Sequence, residues 1–342
     1  MNSLETKHRR RSAKRMKKDE NLYFEGYADL QCHLMMILDS PRTNAYKRAI
    51  FDSAEKLRNK VVLDVGAGTG ILSIFASQAG AAKVHAVEAA DVHNHLVDIV
   101  RANKLENAIE VHSVRVEDLC LETKVDCILS EWMGYGLFCE WMLRSVVHAR
   151  DQWLNAGGLM IPERARVIIA PVVETEYLKD RTRSWFMVRD RFNVNMDIMA
   201  RVEAENSRGR LIVHQVFPEE VAGRQAEVLN VDLYTIKDSD LRQLKGHFSC
   251  ECYGNCKVFG FCMWFVVDMP AGVTLDTSPY AEVTHWLQIA MYIKPFKVDQ
   301  GKVIAGSLSV QQHPEDERNF CATLEYKYND GDLRTVQFTN ME

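Results

Sequence analysis

Residues 60–70 have the sequence KVVLDVGAGTG, and residues 130–140 have the sequence SEWMGYGLFCE. The first stretch is typical of a buried strand, a glycine turn and the start of a helix. The second begins where a later strand of the same sheet is predicted to end. Because ligands bind outside the carboxyl ends of parallel strands, we expect both stretches to face one crevice.

Short β-rich runs alternate with helical runs around these two stretches. The β-rich runs span 61–65, 83–88, 109–113 and 125–130, and the helical runs span 71–78, 92–103 and 143–154. Such alternation predicts a parallel sheet with right-handed crossovers. After Pro162 the alternation stops. Further β-rich runs then predict an antiparallel sandwich or barrel, and they span 166–173, 227–234, 257–267, 286–293, 303–310 and 319–327.

These patterns divide the chain into four segments. They are a basic tail at 1–20, a helical segment at 21–56, the α/β domain at 57–161 and the β-rich domain at 162–342. The tail has the sequence KHRRRSAKRMKK at residues 7–18, which predicts a disordered, solvated segment. A nuclear address or an arm for an anionic partner is the alternative. An amphipathic helical stretch at 177–205 predicts a capping helix pair or an arm that binds another subunit.

Composition excludes several classes of protein. The 342 residues are 47% hydrophobic and 26% charged, as expected for a globular protein with two cores. No stretch approaches the roughly 20 apolar residues of a membrane span, so no membrane partner is expected. Nine scattered cysteines predict an intracellular setting, cytoplasmic or nuclear or both. The net charge of -5 argues against direct nucleic-acid binding and leaves room for an acidic site that prefers cations.

The glycine turn has glycines at alternate positions, 66, 68 and 70. Such a turn lets a ligand approach the backbone closely and presents the amides of a helix N-terminus. The dinucleotide pattern G-x-G-x-x-G is not satisfied, because the sixth position is Ile71. A ligand with a pyrophosphate group is therefore disfavoured.

Two acidic residues follow the next strands of the predicted sheet. Glu88 comes 22 residues after Gly66, where a carboxylate can accept two hydrogen bonds from a ribose. Glu117 follows the third strand and is placed to contact an adenine amino group, while Val116 frames the ring. A helix-terminal carboxylate is the structural alternative for Glu88. The three features together favour an adenosine ligand without phosphates, which indicates S-adenosylmethionine.

The stretch from Ser130 to Glu140 carries two carboxylates, at Glu131 and Glu140, among large apolar residues and two glycines. Paired acids in an apolar loop repel each other unless a cation lies between them. A guanidinium fits, because its planar donors match carboxylates in bidentate fashion. A metal site and a surface loop with incidental acids are the alternatives. A metal site is disfavoured because no histidine lies at a suitable local spacing. A surface loop with incidental acids does not explain so many apolar side chains.

Two other groups of residues are weaker candidates. The triplet Thr284-His285-Trp286 precedes a predicted strand, and a functional histidine there requires Glu131 nearby. Cys250, Cys252, Cys256 and Cys262 lack the spacing of two C-x2-C zinc knuckles, so they are interpreted as core residues and no metal is expected.

At this point the chain resembles the protein arginine N-methyltransferases, from about Tyr23 to the C-terminus. The most specific matches are VLDVGAGTGILSIFASQAGA, the double-glutamate loop SEWMGYGLFCEWML and the triplet THW. The resemblance implies an α/β fold. A Rossmann-like S-adenosylmethionine-dependent methyltransferase sheet would precede an antiparallel β-barrel domain with a helical dimerisation arm. It further implies a lid formed by residues 21–56 and a homodimer assembled through the arm.

The resemblance also assigns roles to individual residues. Arg42 would pair with the carboxylate of the cofactor, and Glu131 and Glu140 would grip the substrate guanidinium. His285, paired with Asp39, would complete the catalytic group, and Tyr23 and Trp286 would contact substrate. The residues implied to bind the cofactor are Tyr27, His33, Met36, Arg42, Asp64, Gly66, Gly68, Glu88, Val116, Glu117 and Met142.

Three positions depart from the family pattern. Leu34 and Met35 replace acids, and Trp141 replaces a small residue. The bulky Trp141 beside Glu140 predicts a narrower acceptor pocket. Met36 resembles the type I class, which makes asymmetric dimethylarginine; an enzyme that only monomethylates is the alternative. The expected substrates are arginines in Gly-Arg-rich segments and histone tails. A weakly active regulatory subunit and a small-molecule methyltransferase are the competing functions.

Overall fold

The computed structural model describes residues 23–342. A five-stranded parallel sheet forms its first domain, with strand order β3-β2-β1-β4-β5. The strands are β1 (Val61–Val65), β2 (Lys83–Val87), β3 (Ile109–His112), β4 (Val125–Leu129) and β5 (Leu154–Ile161). The predicted α/β class is confirmed, and the predicted basic tail lies outside the described residues.

Strand β5 was not predicted, because Asn155-Ala-Gly-Gly158 is typical of a turn. The strand nevertheless pairs with β4, and its register shifts between Val125 and Cys127. Gly157 has a φ of 74°, which lets the extra residues bulge without breaking the pairing.

Helices pack against the sheet, whose central strand β1 is buried at all its residues after Val61. They are α1 (Leu30–Leu38), α2 (Ser40–Asp52), α3 (Ala54–Leu57), α4 (Ile71–Gln78), α5 (His93–Ala102) and α6 (Leu143–Trp153). The break between α1 and α2 lies at Asp39, whose carboxylate accepts a hydrogen bond from the backbone N–H of Arg42 at 3.1 Å. Pro41 occupies the first turn of α2, where its missing N–H has no cost.

The second domain consists of two sheets, one with strand order β16-β7-β12-β10-β6-β8 and β11 paired to β10, and one with order β15-β14-β13-β9. Every pairing in them is antiparallel except that of β7 with β16. Their strands are β6 (Arg164–Val172), β7 (Arg210–His214), β8 (Ala226–Asp232), β9 (Gln243–Glu251), β10 (Cys256–Asp268), β11 (Thr274–Asp276), β12 (Gln288–Val298), β13 (Val303–Gln312), β14 (Phe320–Tyr328), β15 (Arg334–Phe338) and β16 (Asn340–Met341). Ring contacts such as Phe248 with Phe261 at 5.5 Å join the two sheets in one core.

A helical hairpin projects between β6 and β7 and is called the arm below. It consists of α7 (Glu176–Phe192) and α8 (Asp197–Asn206). Its tip exposes large apolar side chains, including Phe192 at 68% and Ile198 at 61%. Such a surface is typical of a face that another chain covers.

The two domains share one buried apolar cluster. The double-glutamate loop lies in this shared core, where Phe138 packs against Phe320 with ring centroids 6.4 Å apart. Gly136 has no room for a side chain, because a Cβ there would lie 2.5 Å from Ile289 Cδ1. The loop is therefore held by both domains. Within residues 23–342, no helix is long and apolar enough to cross a membrane.

Candidate active site

The glycine turn forms the floor of a cavity at the carboxyl end of the parallel sheet. Gly66, Gly68 and Gly70 all have positive φ, at 74°, 55° and 88°. A Cβ on Gly66 would lie 2.3 Å from Met142 Cε. The turn thus depends on glycine both for its conformation and for the space above it.

Glu88 follows β2 and points into the same cavity. Its two carboxylate oxygens accept hydrogen bonds from the backbone N–H of Gly68 at 2.8 Å and of Ala90 at 2.7 Å. These bonds fix the carboxylate beside the glycine turn. Its remaining lone pairs are placed to accept from a ribose diol.

Val116 and Glu117 line the far end of this cavity. Burial raises the pKa of Glu117, but hydrogen bonding from Ser145 and the nearby Arg115 outweigh it, so the pKa lies below its ordinary value. The Ser145 hydroxyl donates to Glu117 at 2.7 Å. The carboxylate is therefore kept ionised as an acceptor. Sequence reasoning missed Ser145, which lies 28 positions away on α6.

Asp64 does not line the cavity, and its contact with the cofactor stays a prediction. Its side chain is fully buried, and its Oδ2 accepts a hydrogen bond from Ser73 Oγ at 2.6 Å. Burial raises its pKa to about 7. The residue ties β1 to α4 and thereby supports the glycine turn from below.

Glu131 begins the double-glutamate loop directly after β4, where the Ser130 hydroxyl bonds to the Val65 carbonyl at 2.8 Å. Arg42 Nε and Nη2 donate to Glu131 Oε2 at 3.0 and 2.9 Å. The backbone N–H of Met133 donates to Glu131 Oε1 at 3.0 Å. Arg42 was expected to pair with the carboxylate of the cofactor; here its guanidinium holds the first glutamate at the edge of the cavity.

Glu140 ends the loop with a positive φ of 73°. The hydroxyls of Tyr23 and Tyr27 donate to its Oε2 at 2.9 and 2.7 Å. Burial raises the pKa of Glu140 above its ordinary value, the two tyrosine hydrogen bonds oppose that rise, and the charge of Glu131 adds to it. Glu140 is thus a half-buried carboxylate that accepts hydrogen bonds from neutral donors.

Arg318 was not found from the sequence. Its guanidinium lies 3.9 Å from the ring centroid of Tyr23, and its Nη1 donates to the Glu140 carbonyl at 3.0 Å. The backbone N–H of Glu140 donates to the Arg318 carbonyl. The residue precedes β14, 178 positions from Glu140, and no local motif marks it.

His285 and Trp286 bring the second domain to the cavity. Asp39 Oδ2 accepts from the backbone N–H of His285 at 2.9 Å and lies 2.6 Å from its ring Nδ1. Burial raises the pKa of Asp39, but the hydrogen bonds from His285 outweigh it, so the pKa is lowered. The Trp286 indole N–H donates to the Met133 carbonyl at 2.8 Å. The THW triplet and the double-glutamate loop therefore meet in one cavity, as expected.

The structure brings fifteen of the predicted site residues to the lining of this cavity. They are Tyr23, Tyr27, His33, Met36, Arg42, Gly66, Gly68, Glu88, Val116, Glu117, Glu131, Glu140, Met142, His285 and Trp286. Asp39 and Asp64 are the exceptions; Asp39 contacts His285, which lines the cavity, and Asp64 is bonded to Ser73.

Trp141 does not narrow the cavity, so that expectation is wrong. The side chain is 4% exposed, stacks near Phe138 at 5.7 Å and donates its indole N–H to the Asn319 carbonyl at 2.8 Å. Its φ of 54° turns it away from the cavity. Trp141 thus fastens the loop to the second domain.

The cysteines interpreted as core residues are free thiols, and Cys250, Cys252 and Cys262 are buried. Cys256, the first residue of β10, is half-buried. Among residues 23–342, these four do not form a group with metal-binding geometry.

Comparisons with known proteins define the class. A family model described as the arginine methyltransferase oligomerization subdomain matches residues 163–331. A second, described as ribosomal protein L11 methyltransferase (PrmA), matches residues 48–137. The chain belongs to the protein arginine N-methyltransferase family, whose methyl donor is S-adenosylmethionine. The glycine turn, with its open space, and the Glu88 carboxylate fit that donor.

Particular relatives refine this assignment. The chain is 39% identical over 313 residues to protein arginine N-methyltransferase 6 of Danio rerio, covering 90% of this chain and 89% of the relative. It is 40% identical over 322 residues to the protein of the same name from Xenopus tropicalis, covering 92% and 94%. The sequences of the glycine turn and of the double-glutamate loop also resemble this member of the family, and the relatives confirm that resemblance.

Solved structures agree with the fold. The chain superposes on a protein of the Trypanosoma brucei PRMT1 enzyme-prozyme heterotetrameric complex with AdoHcy, with a TM-score of 0.82 and 29% identity over 91% of this chain and 98% of that one. For Arabidopsis thaliana protein arginine methyltransferase 10, the TM-score is 0.80 and the identity 30% over 92% and 99%. Both likenesses extend across the two domains.

Proposed function

We propose that this methyltransferase acts on a terminal guanidino nitrogen of substrate arginines and gives monomethylarginine and asymmetric dimethylarginine. The observation that carries the proposal is the pair of half-buried carboxylates at the ends of one loop. Glu131 is already neutralised by Arg42, whereas among residues 23–342 the Glu140 carboxylate accepts hydrogen bonds from two tyrosine hydroxyls, and the nearby Arg318 donates to the Glu140 carbonyl instead. An incoming guanidinium supplies the missing cation.

The two carboxylates also address the chemical difficulty of the reaction. A guanidinium is a poor nucleophile, because its charge is delocalised and its pKa exceeds about 12. Bidentate contact with Glu140 localises positive charge on one side of the group and leaves more lone-pair character on the nitrogen that reacts. The cofactor supplies an electrophilic sulfonium methyl group. Positioning and electrostatic stabilisation by the chain then lower the barrier.

A proton leaves the methylated nitrogen, and two groups of this chain are placed to accept it. Glu131 lines the cavity with Arg42 on one of its oxygens. His285 lines the same cavity, and its Nδ1 faces Asp39, so its Nε2 is the ring nitrogen left for a proton. The carboxylate stabilises the imidazolium that would form, as in other acid–base pairs.

Dimethylation requires space beside the first methyl group, and two observations support it. Trp141 is turned into the core and leaves the pocket open. Met36, a flexible side chain, lines the cavity where an aromatic ring would be rigid. A product that stops at monomethylarginine is the alternative outcome.

The first experiment incubates the protein with labelled S-adenosylmethionine and an Arg-Gly-rich peptide, and resolves the methylarginines by chromatography. Asymmetric dimethylarginine that disappears in Glu140→Gln supports the proposal. Monomethylarginine alone overturns the dimethyl product and keeps the chemistry. No methylarginine despite cofactor binding overturns independent activity and favours a regulatory subunit.

The resemblance also favours arginines in Gly-Arg-rich segments and histone tails as substrates. A panel of peptides with one arginine each, flanked by glycine or by bulky residues, tests this preference. Higher kcat/KM for glycine-flanked arginine supports it. Equal rates for both flanks contradict it.

We further propose that two copies form a homodimer through the arm. Phe192 and Ile198 expose large apolar surfaces at its tip, and Phe51 and Val97 expose smaller ones on α2 and α5. The variant Ile198→Asp is expected to sediment as a monomer, with Arg191→Asp as a charge-changing control on the same helix pair. Dimers that persist in Ile198→Asp would contradict this assembly.

A further inference from the structure

Three side chains converge on one face of the parallel sheet, outside the active site. His85 on β2 and Glu110 on β3 are register partners across the parallel pairing. His112 lies two residues beyond Glu110 and therefore on the same face. The cluster is formed by regular strands, so its positions are fixed by backbone hydrogen bonds.

The possible ligand atoms lie close together. His85 Nδ1 lies 3.0 Å from His112 Nε2 and 3.6 Å from Glu110 Oε2, and His112 Nε2 lies 3.9 Å from the other carboxylate oxygen, Glu110 Oε1. Bonds of about 2.0–2.2 Å in tetrahedral geometry place zinc ligands roughly 3.3–3.6 Å apart. Shifts of a few tenths of an ångström at the side chains would place these atoms around one ion.

We propose that His85, His112 and Glu110 bind a zinc ion, with water in the fourth position. Two imidazoles and one carboxylate are a ligand set that zinc accepts, whereas magnesium prefers oxygen ligands. Among residues 23–342 it is the one group of histidine, cysteine and acidic side chains with atoms close enough for a metal. The site is independent of the methyl-transfer reaction.

Lys83 competes with the ion. Its ammonium lies 3.1 Å from Glu110 Oε2, on the oxygen that also faces His85. A zinc ion and the Lys83 ammonium would compete for this oxygen, so zinc bound there displaces the lysine. Removing the ammonium should therefore tighten zinc binding.

The ion would join the edge of the sheet to its neighbour. Strand β3 is the last strand of the sheet and pairs only with β2. The carbonyl of His112 accepts from the backbone N–H of Glu88 at 3.0 Å, so the end of β3 adjoins the residue assigned to the ribose. Because His85, His112 and Glu110 come together only in the folded sheet, zinc should bind the folded chain more tightly than the unfolded chain and raise the temperature of unfolding.

The test is calorimetric titration of the full-length, thiol-reduced protein with ZnCl2, alongside thermal unfolding with and without zinc. We expect one equivalent to bind and the unfolding temperature to rise. His112→Asn should weaken the binding by at least about tenfold. His95→Asn, at an exposed histidine of α5, is the matched control and should leave it unchanged. Lys83→Gln should bind zinc more tightly.

Each result bears on the site. Absence of zinc binding in the unchanged protein, or equal affinity in His112→Asn, overturns it and assigns any bound ion to other side chains. Lys83→Gln is a surface change that should not impair folding, so it gives a second test of the zinc site. If it binds zinc no more tightly than the unchanged protein, Glu110 is not a ligand and the three-residue site is wrong.

Discussion

The two ends of the double-glutamate loop place the same side chain in opposite electrostatic surroundings. Glu131 is 8% exposed and receives two hydrogen bonds from the guanidinium of Arg42. Glu140 is half-buried, and its side-chain partners are the neutral hydroxyls of Tyr23 and Tyr27. The Glu131 carboxylate is bonded to a guanidinium, whereas the guanidinium nearest Glu140, that of Arg318, bonds to the Glu140 carbonyl and not to its carboxylate.

This difference shows how one loop can be both stable and ready to bind a cation. A buried ion pair is costly to break, so Glu131 fixes one end of the loop. A buried carboxylate without a cation destabilises the folded chain, and that cost is relieved when a cationic ligand enters. A cationic ligand is therefore expected to bind mainly at Glu140.

The largest expected effect comes from Glu140→Gln. Loss of the carboxylate should lower kcat/KM by about 10²–10³-fold, the loss typical of removing one key electrostatic group. Because the pKa of Glu140 is raised in the folded chain, its ionised form destabilises the fold, so the variant should unfold at a higher temperature at pH 8. This gain should vanish as the pH falls below the ordinary carboxyl pKa.

Glu131→Gln is the matched control for the stability part of this prediction. It should also lose activity, but it leaves Arg42 without its anion and should unfold at a lower temperature. If both variants change the unfolding temperature in the same direction, the contrast between the two ends of the loop is wrong.

The second prediction removes the internal cation. Arg42→Met should lower the free energy of unfolding by roughly 3–5 kcal/mol, because it leaves Glu131 buried and unpaired. Urea denaturation measures the loss. The double variant Arg42→Met/Glu131→Gln should recover part of it, since the unpaired charge is then gone. A loss below about 1 kcal/mol in the single variant would show that Arg42 and Glu131 are not a tight pair.

The sequence predicted the first end of the loop better than the second. Glu131 follows a strand that can be recognised from its local hydrophobic run and its parallel neighbours. The glycine turn opposite it can also be recognised from the local sequence. Glu140 depends on contacts far away in the chain, from Tyr23 and Arg318. Periodicity and spacing report local structure, so they identify the residue but not its partners.

The direction of Trp141 shows the same limit. A bulky residue beside Glu140 predicted a narrower pocket, but its direction depends on a positive φ and on the Asn319 carbonyl. Neither is visible in the local sequence. In the same way, strand β5 was hidden because its glycines form a bulge whose pairing partner lies on β4.

The third prediction concerns Arg318, which positions Glu140 through its carbonyl and through the ring of Tyr23. Arg318→Ala should lower kcat/KM by about tenfold to a hundredfold, because a small misplacement of a positioned group has effects of this size. Arg318→Lys should restore only part, since an ammonium lacks the planar stacking surface. Steady-state kinetics should place the loss mainly in kcat.

Arg334→Ala is the control for Arg318. Its guanidinium lies 5.1 Å from the ring centroid of Phe296, the same kind of contact away from the cavity. It should leave kcat unchanged. A normal kcat in Arg318→Ala would show that the Glu140 end of the loop needs no cation beneath its backbone.

The smallest expected effect is a shift in the pH profile. Tyr27 donates a hydrogen bond that lowers the pKa of Glu140 against the effect of burial. Tyr27→Phe removes this donor to the ionised carboxylate, so the pKa of Glu140 should rise further. Glu140 must be ionised to bind a guanidinium, so the acidic limb of kcat/KM should move to higher pH. Tyr234→Phe, whose hydroxyl lies 3.3 Å from Glu163, should leave the limb in place. If the acidic limb of the kcat/KM profile of Tyr27→Phe stays at the same pH, that limb does not report the ionisation of Glu140.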